Sequence, residues 1–93
     1  MNGEIAWSDH GRDMLVGERS EIGAGRVEDA IRNPDQDIAA DDARYPGRRI
    51  AHKIIEMSGK SYLLRVFYDS TPTGPRIVSF YRTSPIERYW RPE

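Results

Sequence analysis

Five residue types in this chain can together handle an anion, a proton and a base ring. Arg65 in "SYLLRVFYD" and Arg82 in "RIVSFYRTS" carry planar guanidinium groups, whose fork of N–H donors matches a phosphate bidentately. His52 in "RIAHKIIEM" has the one side chain that ordinarily titrates near neutrality, which suits a general acid or base. Glu56 is a competing base in the same stretch, and His10 stands in the first turn of an expected helix. Tyr89 and Trp90 can stack on nucleobases, and Arg88 and Arg91 beside them would add to a phosphate-attracting rim. Each residue also has a structural reading. The two arginines can lay their stems over Phe67 and Phe80, and His52 can be a half-buried strand residue between Ile50 and Ile54. Glu56 can close a strand-end salt bridge, His10 can tie helix to sheet, and Trp90 can pin the last turn to the sheet.

Composition narrows the chemistry. There is no cysteine, so disulfides, thiolate nucleophiles and thiolate metal sites are excluded. His10 and His52 are the only histidines, so a zinc site would need carboxylates to complete it, and no metal or other cofactor is expected. Gly23-x-Gly25 lacks the preceding strand and the third glycine of a phosphate-cradling loop. The net charge of −1 hides an asymmetry. Residues 1–43 carry four arginines against eleven carboxylates, net −7, and residues 44–93 carry ten bases against four carboxylates, net +6. Two readings follow: a basic side that meets phosphate or an acidic partner, or acidic helices that complement a basic sheet within the fold. Met1–His10 lacks the basic-then-apolar layout of a signal peptide, and no long apolar run exists, so a cytoplasmic protein without membrane contact is expected.

The elements that must position these groups form one domain over residues 1–93. "EIAW" is extended, and Ser8 caps a helix opening "SDHGRDML", with Asp9 in its first turn and Met14 and Leu15 as anchors. A second helix over Arg26–Arg32 places Val27, Ala30 and Ile31 at the spacing of a buried stripe, and Asn33-Pro34 stops it. "DQDIAADDARYPGRR" reads as a polar connection. Three strands follow, joined through Gly59-Lys60 and "STPTGP", so they are expected to form an antiparallel meander. The fold class is α+β: a short N-terminal strand, two helices on one face of the meander, and a short C-terminal helical turn.

With Gly59 and Lys60 central in the first turn, Ile54 lies opposite Arg65. With a symmetric second loop, Asp69 pairs with Arg76 and Arg65 lies opposite Phe80. One face then shows His52, Glu56, Arg65, Phe80 and Arg82, and the other shows Ala51, Leu64, Val66, Tyr68, Ile77 and Tyr81. A slip of one residue would exchange every member of a strand. In the closing stretch, Ser84 reads as an N-cap, with Pro85 at the first helical position and Glu87 at the third.

His10 and Arg12, the "ER" of Glu18-Arg19 before Ile22, "VEDAIRNP", the "LRVFY" and "IVSFY" strands and the terminal "TSPIERYW" make a recognisable series. It resembles small bacterial domains of unknown function allied to the RelE/ParE toxin superfamily, with BrnT among their relatives, over Ile5 to Trp90. The resemblance implies two helices packed on an antiparallel sheet. It also implies the toxin of a toxin–antitoxin pair, often a metal-free endoribonuclease acting on messenger RNA, with an acidic antitoxin and RNA or the ribosome as partners. Arg65 and Arg82 match the family's strand arginines, Tyr89 its C-terminal aromatic residue, and Arg48 and Arg49 loosely a basic strand start. The sequence pI near 6.1 and the long spacer "VGERSEIGAG" depart from that pattern. The alternative is a catalytically silent module of the same fold whose basic sheet face engages an acidic protein.

Overall fold

The computed structural model describes residues 4–17 and 19–91. Glu18 of the "ER" pair lies outside the described residues.

Ser8 follows the two-residue strand β1 (Ala6–Trp7) and caps α1 (Asp9–Val16) as its type predicts. Its Oγ accepts from the Gly11 N–H at 3.0 Å, and Asp9 occupies the first turn. The second helix, α2 (Ala24–Arg32), begins two residues earlier than the expected Arg26, after Gly23 at φ 83°, a backbone angle that favours glycine. Val27, Ala30 and Ile31 are its buried stripe. The polar connection contains an unexpected strand, β2 (Gln36–Ala39), held by antiparallel pairing with β3 (Arg48–Met57). Then come β4 (Lys60–Thr71), β5 (Gly74–Thr83) and the one-turn helix α3 (Ile86–Tyr89).

The architecture is α+β, with three helices and a five-stranded mixed sheet in the order β1-β5-β4-β3-β2. β1 runs parallel to β5, whereas β2, β3, β4 and β5 are antiparallel neighbours in chain order. Met14 of α1, Ile22 and the α2 stripe pack on Ala51, Leu64, Val66, Tyr68, Ile77 and Phe80 of one sheet face. Burying each large apolar side chain there stabilises the fold by roughly 1.5–3 kcal/mol. Among the described residues, no helix is long and apolar enough to cross a membrane.

Close approach of α1 to β5 depends on Gly11. A Cβ there would lie 2.9 Å from the Ile77 carbonyl oxygen and 3.3 Å from Ser8 Oγ. On an open helix face, Gly→Ala stabilises by about 1 kcal/mol. At Gly11 the clash is with backbone, and Gly11→Ala is expected to destabilise by about 1–3 kcal/mol in urea unfolding.

The register departs from expectation in two ways with opposite consequences. Ser58 and Gly59, at φ 54° and 75°, are the central residues of the β3–β4 turn, in place of Gly59-Lys60. Both angles are positive, as the tight hairpin turn compatible with strand twist requires. The pairing moves by two residues, so the faces are preserved and His52, not Ile54, stands opposite Arg65. Between β4 and β5, Asp69 pairs with Arg76 as predicted, but a bulge at Phe67/Tyr68 then shifts the register by one. Beyond it Arg65 faces Tyr81, Val66 faces Phe80, and Leu64 faces Arg82. The expectation that Arg65 and Arg82 share a face is therefore corrected: one extra residue in β5 turns Arg82 and Phe80 to the helix side and brings Tyr81 beside Arg65.

The capping box at the closing turn does not form. Pro85, not Ser84, is the N-cap of α3, and no side chain caps the helix. The serine contributes its carbonyl, which accepts from Ile86 N–H at 2.9 Å.

Candidate functional site

The face away from α1 and α2 carries a buried polar cluster centred on Arg65, which is only 9% exposed. Strand pairing places His52 directly across from it on β3 and Tyr81 directly across on β5. Arg65 Nε donates to His52 Nε2 at 3.0 Å, and Arg65 Nη1 donates to the Tyr81 hydroxyl at 2.6 Å. Because Nε2 accepts, the imidazole proton resides on Nδ1, which donates to Gln36 Oε1 at 2.9 Å. Three rings enclose the guanidinium: Cζ lies 4.3 Å from the Tyr89 centroid, 5.3 Å from Phe67 and 5.7 Å from Tyr81. Trp90 stacks on His52 at 6.3 Å and 25°.

An arginine that is nine-tenths buried normally has a carboxylate partner, because a buried charge is costly unless compensated. Among the described residues no carboxylate pairs with Arg65. Cation–π attraction to the three rings offsets part of that cost. Two donors in the cluster have no acceptor within the described fold: Arg65 Nη2 and the Tyr81 O–H, whose oxygen already accepts from Arg65. No buried polar side-chain atom among the described residues lacks a partner, so Arg65 Nη2 is open to solvent, where a guanidinium donor can take up an anion.

His52 has no exposed surface. Burial, and after it the charge on Arg65, push its pKa down from 6.5 to about 4; Arg91 adds to this and Asp37 opposes it. The neutral ring is what accepts from Arg65. The folded value lies below the unfolded one, so His52 contributes stability fully above about pH 6.5, and this is lost as pH falls through about 4. In that window the unfolded chain binds the extra proton. From pH 7 to pH 5 the loss is expected to be on the order of 2 kcal/mol. Urea unfolding at both pH values checks this, and His52→Gln should flatten the dependence.

The other sequence candidates stand elsewhere. Arg82 lies on the helix face, where Nη1 donates to Met57 Sδ at 2.9 Å, Nη2 is 3.8 Å from Glu21, and Cζ is 4.6 Å from the Tyr62 ring. Glu56 shares the face of His52 but sits exposed near the hairpin, opposite Ser61, without the expected ion pair. His10 is exposed on α1, across the sheet from Arg65, and makes none of the expected helix-to-sheet hydrogen bonds. Arg48 forms a bidentate pair with Asp69 at 2.8 and 3.1 Å and stacks on Tyr45 at 4.1 Å. Arg49 pairs with Asp37 at 2.8 Å, and the same carboxylate accepts from the buried Tyr68 hydroxyl. Arg88 is exposed beside Tyr89. Of the sequence candidates, His52, Arg65, Tyr89 and Trp90 come together.

Much of the charge asymmetry is consumed inside the fold. Arg49, Lys53, Arg82 and Arg91, all from the basic half, pair with Asp37, Asp29 and Asp35, Glu21 and Asp41 from the acidic half. Three cluster members have no clear signal in the sequence. Without the bulge Tyr81 falls on the opposite face, Gln36 lies in a stretch that reads as a polar connection, and Phe67 reads as a surface for the arginine stem. A depression of about 350 Å³ lined by Ala39, Asp41, Asp42, Ala43, Pro46 and Arg48 lies apart from the cluster. Comparison with family models, with curated proteins and with solved structures returned no match to this chain.

Proposed function

We propose that this chain is a RelE/ParE-like toxin of a toxin–antitoxin pair, a metal-independent endoribonuclease acting on messenger RNA, with its centre at Arg65 and without Arg82. The observation that carries the reading is Arg65, nine-tenths buried and without a carboxylate, beside the Tyr81 hydroxyl and covered by Tyr89. RNA transesterification needs a cation on the scissile phosphate, a base for the 2′-OH proton and an acid for the leaving 5′-oxygen. Arg65 holds the phosphate through Nη1 and Nη2. The Tyr81 hydroxyl gives its proton to the 5′-oxygen. His52 is neutral, as a base must be, and its Nε2 lone pair takes the 2′-OH proton when Arg65 turns from the ring to the phosphate. Tyr89 stacks on a flanking base.

The alternative is a catalytically silent RelE-fold binding module, in which Arg65 receives a carboxylate from an acidic protein segment. The complete burial of His52, with both nitrogens bonded, favours that reading. Induction of the wild-type chain in a bacterial culture, followed by mapping of new RNA ends in EDTA-treated extracts, separates the two. Growth arrest with new 5′ ends supports the ribonuclease. Normal growth with folded protein present, together with tight binding of an acidic peptide that Arg65→Met abolishes, supports the binding module.

A further inference from the structure

We infer that the closing turn, residues 86–91, is a displaceable lid over Arg65, opening as a unit while the sheet stays folded. Its backbone–backbone hydrogen bonds are all local: Ile86 N–H to the Ser84 carbonyl, Arg88 N–H to that of Pro85 and Trp90 N–H to that of Ile86. Among the described residues, no backbone–backbone bond joins this turn to the sheet. The attachment runs through side chains. Gln36 donates Nε2 to the Arg91 carbonyl and accepts from Arg91 N–H at 3.1 Å, Arg91 pairs with Asp41 at 3.3 Å, Tyr89 lies on Arg65, and Trp90 lies on His52. α3 has four residues, no side-chain cap and no buried residue, so it has little stability of its own.

The strand that tethers it is equally slight, since Gln36 belongs to a four-residue edge strand. Opening therefore breaks no ladder hydrogen bond and returns a buried, carboxylate-free cation to water, which lowers the cost of the open state. The two rings of the lid occupy the planar faces of Arg65 and His52 that a nucleobase would otherwise cover. What the lid admits rests on the ribonuclease reading; that it opens does not.

Because the natural chain has no cysteine, the lid can be closed at will. The double variant Asp41→Cys, Arg91→Cys replaces an exposed ion pair. Treated with a bis-maleimide it is bridged shut, and treated with N-ethylmaleimide it is capped and free. The probe is phenylglyoxal, an arginine-specific reagent, with Arg65 followed by peptide mapping. Modification of Arg65 is expected to be about tenfold or more faster in the capped than in the bridged protein. In the unsubstituted chain, the Trp90 and Arg91 amides should exchange before that of Val66. A single-stranded oligoribonucleotide should slow modification of the capped form. Equal reaction of Arg65 in the two forms, or exchange of Trp90 only together with Val66, overturns the lid. Failure of the oligonucleotide to protect, with the other results as expected, overturns the ribonuclease reading and leaves the lid standing.

Discussion

On the proposed ribonuclease reading, an Arg65→Met chain is expected to lose growth arrest and to bind single-stranded RNA about 10- to 100-fold more weakly, because a hydrogen bond to a charged group is worth roughly 1.5–3 kcal/mol. The same substitution is expected to change stability by no more than about 1–2 kcal/mol, because relief of the buried charge is set against the His52 Nε2 acceptor that it leaves without a donor. Methionine keeps the unbranched stem between Phe67, Tyr81 and Tyr89, so the aromatic enclosure stays filled. Loss of function with little change in stability distinguishes an anion site from a packing residue. Arg82→Met is the control. It removes the contacts to Met57, Glu21 and Tyr62, costs about 1 kcal/mol or less, and changes RNA binding by no more than about twofold. Fluorescence titration and urea unfolding of both variants give the readouts. The opposite pattern, with Arg82→Met abolishing binding and Arg65→Met unfolding the domain, would move the centre to the helix face.

The largest stability effect is expected at Phe80→Ala. Phe80 has no exposed surface, its ring meets Trp7 edge-on at 6.0 Å and 87°, and it packs in the cluster that joins both helices to the sheet. Truncating a core phenylalanine costs about 3–5 kcal/mol, the lost transfer energy plus the cavity left behind. A chain of this length has roughly 5–14 kcal/mol in all, so the variant should be close to unfolding at 37 °C. Urea unfolding at 25 °C measures the difference directly. A loss below about 1 kcal/mol would mean that the helix-side core collapses around the gap.

The parts of the fold visible in the sequence were those written in local chemistry. Ser8 before an acidic first turn marked α1, the Val27, Ala30 and Ile31 spacing with Asn33-Pro34 marked α2, and short links marked the three long strands. β2 was invisible because its strand character comes from its neighbour. "QDIA" has one β-branched residue and becomes a strand by pairing with β3. The site was half visible for the same reason. A two-residue error in the β3–β4 turn kept His52 and Arg65 on one face. A one-residue bulge, written in no local motif, exchanged Phe80 for Tyr81 and removed Arg82. Ser84-Pro85-Ile86-Glu87 shows the converse: a good local capping pattern lost to a turn shaped by Tyr89 and Trp90 lying on the far sheet face.

The parallel pairing of β1 with β5 has a consequence for how this molecule is made. Ala6 and Trp7 stand beside Arg76 and Ile77, and Ser8 donates its N–H to the Ile77 carbonyl at 2.8 Å. On a translating ribosome, α1 is therefore synthesised long before the strand it docks on has left the exit tunnel. Its close seat, where Gly11 meets Ile77, does not yet exist. This segment must wait as an unpartnered nascent peptide, with Trp7 and Met14 open to chaperones. The β3–β4 hairpin, whose pairing spans only neighbouring sequence, can fold during elongation.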